Sequence, residues 1–283
     1  MKKNDKCLAT LLIGETYQKM WSQHFEKSWR AYAERHGYDI VVVDRPIDQS
    51  ERGRQRTPHW QKCLILEHEE VREYQDVVWV DADVIINFHT APCIVGCNEG
   101  GKIGIVSYKA AYPNAEKKDN ILGRAFEYGP QEWMRDPDLT FPMLYAKAGL
   151  PMDVDDMVNT GVLVLRTGRH EEVLRNVYDH CEENEYSAKE NIPLSYHILA
   201  SGMANAIDTR FNMIWDYVLL ESYPFLVVEN FETDLRMQAL CVNTAWHNSY
   251  FLHFIAGNSR KHAAYLVQDH HWIDAWRRIY ETH

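Results

Sequence analysis

The chain has 283 residues, of which 46% are hydrophobic and 25% charged, and carries a formal charge of −11. This is a globular composition, long enough for one large α/β domain with a buried core. The acidic balance excludes a broad nucleic-acid surface, which needs a basic face, and no apolar run approaches the ~20 residues of a membrane span.

In chain order, Cys7–Ile13 is a continuous apolar run, as expected of a strand buried on both faces, and Gly14 and Glu15 end it. From Gln18 to His36 the residues Trp21, Phe25, Trp29 and Tyr32 recur at helical spacing, with Gly37 as the stop. Tyr38–Val43 reads as a second strand. Residues 44–57, with Pro46, Gly53 and four arginines, read as a mobile loop and a candidate lid over a ligand. Pro58–Glu73 reads as a helix and Val77–Val80 as a third strand.

This alternation predicts a Rossmann-like, mostly parallel central sheet flanked by helices. Lys102–Ser107 and Val162–Arg166 read as further strands, Glu171–Asn184 and Ile192–Ser201 as helices, and Phe251–Ile255 as a late strand. The irregular stretch Tyr108–Pro151 is too long for a simple connector and is expected to shape a site. Without repeats or linkers, residues 1–283 read as one domain, with 262–283 as a helical appendage whose Trp272 and Trp276 are expected in the core. The six cysteines lack the second close pair that a zinc site needs, which predicts free thiols in a reducing, cytoplasmic compartment.

Chemistry concentrates at Asp81-Ala82-Asp83, directly after the third strand. Two carboxylates at i and i+2 can converge on one hard cation, and Mg²⁺ or Mn²⁺ binds one or two carboxylates plus substrate phosphates. Ligands of open α/β sheets sit at this carboxyl edge. His253 ends the late strand and is a candidate metal ligand; Gly257 and Lys261 follow it with the character of a phosphate site. Lys62, in the first turn of its segment, opposes the helix dipole and therefore calls for an anionic partner. Asp155-Asp156 and Asn159-Thr160-Gly161 precede a strand and suit hydrogen bonding to hydroxyls. Trp133, Trp215, Trp246, Tyr112, Tyr128 and Tyr217 are candidates for stacking on sugar rings.

Taken together, Trp60-x-Lys62, Trp79-Val80-Asp81-Ala82-Asp83, Asn159-Thr160-Gly161-Val162-x-x-x-Arg166 and His253-Phe254-x-x-Gly257-x-x-x-Lys261 resemble the GT-A glycosyltransferases. The closest likeness is to family 34 (fungal galactosyl- and mannosyltransferases, xyloglucan xylosyltransferases), followed by the glycogenin-like family 8. The resemblance implies a UDP-sugar donor, Mn²⁺ or Mg²⁺, a saccharide or glycoconjugate acceptor, and transfer with retention. It also implies that Asp81, Asp83 and His253 hold the metal, that Thr10, Gly14 and Tyr17 form the uridine edge, and that Lys62, Asn159, Gly257 and Lys261 contact the donor. Where family members carry Asp-Gln near the reacting sugar, this chain has Glu190-Asn191, which with Asp83 and Asp156 are the catalytic candidates. Two other readings remain: a non-catalytic nucleotide- or glycan-binding protein on the same fold, and a sugar nucleotidyltransferase. The latter expects a basic Gly-rich loop after the first strand, where this chain has Gly14-Glu15-Thr16-Tyr17.

Overall fold

A computed structural model describes residues 3–113, 139–226, 235–255, 260–268 and 272–282. Its main sheet has the order β2-β1-β3-β6-β5-β7, formed by β1 (Lys6–Leu11), β2 (Asp39–Val43), β3 (Asp76–Val80), β5 (Ile103–Ile105), β6 (Val162–Arg166) and β7 (Ala204–Ala206). Five strands share one direction, and β6 runs against its neighbours β3 and β5. A second sheet, β4-β9-β8, joins β4 (Val84–Ile86), β8 (Met213–Ile214) and β9 (Phe251–His253).

The apolar runs form strands because both sheet faces are covered. Alternate residues serve opposite layers, as the two-residue period of a strand requires. Leu8, Val78 and Val80 pack with Phe25, Trp29 and Tyr32. Cys7, Ala9, Val77 and Trp79 pack with Trp60, Leu64 and Leu66 on the other face. The expected first helix spans Glu15–His36 but is interrupted by a π-helical stretch, Trp21–Phe25, with Trp21 and Phe25 buried. The expected helix over Pro58–Glu73 is instead two 3₁₀ segments, Pro58–Glu67 and Val71–Glu73. Residues 60–66 are all buried, so no solvent-facing stripe favours the 3.6-residue period.

Residues 44–57 are more ordered than the irregular loop the sequence suggests. They contain a short helix, Glu51–Gln55, capped by the Ser50 side chain. Arg52 donates to the carbonyls of Tyr178 and Asp179, and Arg56 donates to those of Tyr178 and Cys181; both also pair with Glu182. The arginines dock this segment onto the end of the helix Glu171–His180. At the other end of the chain, the helix Trp272–Thr282 buries Ile279, whereas Trp276, expected in the core, is 43% exposed. No helix among the described residues is long and apolar enough to cross a membrane.

Candidate active site

The Asp81-Ala82-Asp83 segment is the corner between the two sheets. Asp81 N–H donates to Gly161 O at 2.8 Å, and Val84 N–H donates to Asp81 O at 3.1 Å, turning the chain from β3 into β4. Val84 then pairs with His253, and Phe254 N–H extends the ladder to Asp83 O at 3.0 Å. That register sets Asp83 and His253 side by side on adjoining strands. One oxygen each from Asp81 and Asp83 and one His253 nitrogen lie within 4.8 Å of one another. His253 Nε2 is 3.1 Å from Asp83 Oδ1 and 3.9 Å from Asp81 Oδ2. Two carboxylates and one imidazole form a donor set that suits Mn²⁺, and the carboxylates alone suit Mg²⁺.

The orientation of the imidazole is built in. Asn212 Nδ2 donates to Asn159 O at 3.0 Å and to Asn159 Oδ1 at 3.1 Å, which leaves Asn212 Oδ1 as an acceptor. His253 Nδ1 lies 2.9 Å from that oxygen and donates to it, which sets Nε2 facing the carboxylates. Partners of this kind fix the tautomer of metal-binding histidines. Gly161 makes room for the ring: a Cβ there would lie 2.2 Å from His253 Cε1 and 2.8 Å from Asn159 Oδ1. Asn159-Thr160-Gly161 thus acts behind His253. Sequence reasoning missed Asn212, whose signal is a lone amide between Phe211 and the apolar Met213-Ile214-Trp215.

Lys62 lies beneath the corner, 4% exposed at its side chain. Its Nζ is 2.7 Å from Glu190 Oε1, 3.1 Å from Asp81 Oδ1 and 3.2 Å from Thr160 Oγ1. Burial alone would drive the proton off, but Asp81 and Glu190 outweigh it and hold the proton more firmly than on an ordinary lysine. These contacts supply the anionic partners that Lys62 calls for. Trp79 Nε1 donates to Asp81 Oδ1 at 2.8 Å, so that oxygen is held from two sides while Oδ2 faces His253. Asn191 Oδ1 accepts from Thr160 N at 2.8 Å and Thr160 Oγ1 at 3.0 Å. The two residues before Glu190, Ala188 and Lys189, have φ of 45° and 65°. Such backbone costs on the order of 1–3 kcal/mol per residue and persists only where surrounding contacts enforce it. Here the buried Lys62–Glu190 pair and the Asn191–Thr160 bonds do so.

At the outer edge Arg260 closes on Asp83, with Nη2 at 2.5 Å and Nε at 3.0 Å from Oδ2. Burial would raise the Asp83 pKa, but His253 and Arg260 outweigh it and lower it to about 2. The Arg260 guanidinium lies 5.8 Å from the Tyr17 ring centroid, and Tyr17 is 38% exposed. Tyr17 follows Gly14, whose φ of 95° is a left-handed value that glycine adopts without strain. Thr10, late in β1, is buried with its hydroxyl unpartnered, an unusual state for a buried polar atom. Lys261 is exposed and its neighbour Arg260 meets the carboxylate, a residue that spacing alone passed over. Gly257 lies outside the described residues. The turn Arg260–Tyr265 is pinned by Trp215 Nε1–H donating to His262 Nδ1 at 2.9 Å. Burial, with Lys261 adding to it, lowers the His262 pKa to about 4.

Two groups of candidates support the fold around this cluster. Asp156 accepts from Ser107 Oγ at 2.5 Å, Met157 N at 2.7 Å and Lys109 N at 3.1 Å, bracing the loop before β6. Trp215, Trp246, Tyr112 and Tyr217 are buried, because they fill the core between helices and sheets rather than offering faces to a sugar. Trp133 and Tyr128 lie outside the described residues.

No protein-family model matches the chain, and no curated protein does. Among solved structures, WbbM, a bifunctional glycosyltransferase solved in its apo form, is similar over 99% of this chain and 52% of its own, at 11% identity and a TM-score of 0.52. This chain therefore spans about half of WbbM. A glycosyltransferase involved in the glycosylation of the major capsid of PBCV-1 aligns over 91% of this chain and 99% of its own, at 12% identity and a TM-score of 0.48. The galactosyltransferase LgtC, in complex with donor and acceptor sugar analogs, aligns over 96% and 99%, at 10% identity and a TM-score of 0.46. At these identities the likeness is one of fold: a GT-A-type α/β architecture with a mostly parallel central sheet flanked by helices.

Proposed function

We propose that this protein is a metal-dependent glycosyltransferase that moves a sugar from a UDP-sugar donor to a hydroxyl of a saccharide or glycoconjugate. The observation that carries the reading is the convergence of Asp81, Asp83 and His253 at the corner between the sheets, with ligand atoms within 4.8 Å. Likeness of fold to glycosyltransferases adds to it. Retention at the anomeric carbon is carried over from the resemblance to families 34 and 8.

In this reading Asp81, Asp83 and His253 hold Mn²⁺ or Mg²⁺. The bound ion supplies Lewis-acid charge against the negative charge that grows on the leaving diphosphate. Arg260, the cation beside Asp83, adds a guanidinium whose fork suits phosphate oxygens. Charge placed in advance where negative charge develops is usually the largest contribution to such a step. Lys62 and Glu190 keep Asp81 aimed. Gly14 and Tyr17 offer the nucleoside an open backbone and a part-exposed aromatic face, and the resemblance assigns Thr10, whose hydroxyl is buried, to the same edge. Asn191 and the loop before it border the donor sugar and the acceptor, where positioning of the hydroxyl governs the rate.

Calorimetric titration of UDP into the protein with Mn²⁺, with EDTA, and into Asp83→Asn with Mn²⁺ tests this. Binding is expected to require both the ion and Asp83, and a UDP-sugar is then expected to release UDP, faster with an acceptor. Folded protein that binds neither UDP nor GDP in any condition overturns the reading.

A further inference from the structure

Asp83 is the most heavily engaged carboxylate of the site. Its Oδ1 faces His253 Nε2 at 3.1 Å, and its Oδ2 takes both Nη2 and Nε of Arg260 at 2.5 and 3.0 Å. A divalent ion ligated by Asp83 needs the same carboxylate, and the guanidinium beside it carries the same sign of charge. Ion and guanidinium thus contend for one group. Arg260 is also the less firmly seated of the two cations here. Its side chain is 26% exposed against 4% for Lys62; its bond to the backbone, Nε to Phe254 O, is 3.3 Å long, and its other described partner is the exposed Tyr17 side chain. Across from Asp83 it lies near the exposed Tyr17 ring, on the edge that faces a bound nucleotide in the reading above.

We infer that Arg260 is a resident counter-cation of Asp83 that yields to the divalent ion and pairs instead with the diphosphate of the donor. The inference rests on the glycosyltransferase reading and adds a consequence to it: ion and nucleoside diphosphate bind as a coupled pair. Alone, the ion must displace Arg260 without giving the guanidinium a new partner. With a diphosphate present, the displaced guanidinium gains phosphate oxygens, so each ligand strengthens the other by the same factor. Arg260 also holds Asp83 against His253 before either ligand arrives. Such a device disfavours capture of a divalent ion in the absence of donor.

The test is Mn²⁺ binding, followed by the paramagnetic resonance of the free ion, with and without UDP. Wild type, Arg260→Gln, Arg260→Lys and Asp83→Asn are compared, and circular dichroism checks that each is folded. Arg260→Gln is expected to bind Mn²⁺ alone about tenfold more tightly than wild type while losing most of the enhancement by UDP, a coupling of ordinary size for two linked sites. Arg260→Lys, which keeps a cation, is expected to stay near wild type in both respects. Opposite signs for the two ligands are the signature, since a merely structural arginine weakens both. If Arg260→Gln binds Mn²⁺ no better than wild type while Asp83→Asn abolishes binding, the counter-cation inference is overturned and the metal site stands. Mn²⁺ binding that ignores Asp83→Asn overturns the underlying reading as well.

Discussion

Two cation–carboxylate groups meet at Asp81-Ala82-Asp83, and they are built on different principles. The inner one, Lys62 with Asp81 and Glu190, is buried, and Lys62 bridges carboxylates from two parts of the chain. The outer one, Asp83 with His253 and Arg260, is open to solvent on the arginine side. A buried ion pair holds because separating it strands a charge in a poor solvent. The outer pair is exchangeable on its arginine side, where water and ligands reach the part-exposed guanidinium, while Asp83 stays buried. The contrast teaches that one motif can combine a fixed support with a replaceable charge. Asp81 belongs to the support through Oδ1 and faces His253, in the candidate metal cluster, through Oδ2.

The sharpest way to break that contrast is to remove the inner cation. Lys62→Met leaves Glu190 buried without its ammonium, and loss of one partner of such a pair costs about 3–5 kcal/mol. Urea denaturation is expected to show that loss. The double variant Lys62→Met/Glu190→Gln is expected to recover a substantial part of it, because the fully buried charge is then gone while Asp81, 27% exposed, keeps its bond from Trp79. Strict additivity of the two single effects would show that the pair is not coupled, and the inner group would lose its status as a support.

The legibility of the two groups in the sequence differed for physical reasons. Asp81, Asp83 and His253 stand at the ends of strands whose apolar runs are plain, so local pattern points to the edge where they meet. Lys62 was legible as a charge in the wrong place at a helix start, although its segment winds as 3₁₀. Arg260 was passed over because spacing counts residues, whereas the path of the backbone decides whether it or Lys261 faces inward. Asn212 precedes His253 by 41 positions and meets it only through the pairing of β8 with β9. Strands β4, β7 and β8 have two or three residues each, too few for a period to register. Of the aromatic candidates, Trp215, Trp246, Tyr112 and Tyr217 misled because an indole or phenol ring has the same composition signal in a core as on a sugar platform.

A smaller perturbation sharpens the outer group alone. Gly161→Ala adds a Cβ that meets His253 Cε1 at 2.2 Å and Nδ1 at 2.7 Å, so the ring must leave its bond to Asn212. Disturbing partners that orient a metal-binding histidine typically costs 10- to 100-fold in metal affinity. Mn²⁺ titration in the presence of UDP is expected to show a loss of about that size. Asn212→Ala, which removes the partner and leaves the space, is expected to fall in the same range. An unchanged affinity in both would remove His253 from the metal cluster and leave the carboxylates to hold the ion. The inner pair, which shares no contact with Asn212, is expected to keep its contribution to stability in either variant.

The mildest test uses pH on the turn that carries Arg260. Trp215 Nε1–H donates to His262 Nδ1, which must be unprotonated to accept, and the pKa of His262 is lowered to about 4. A histidine whose folded pKa lies below its ordinary value of about 6.5 binds protons more readily when unfolded. The unfolded state gains protons between these two values, so stability from this group is complete above about pH 6.5 and declines as pH falls toward about 4. Partial solvent access limits the effect to roughly 1 kcal/mol between pH 7 and pH 5. His262→Gln keeps a hydrogen-bond acceptor but cannot titrate, so it is expected to flatten that decline relative to wild type in urea denaturation at the two pH values. Parallel slopes would mean that the Trp215–His262 bond does not govern the turn, and the softness of the outer group would then reside in the Arg260 side chain itself.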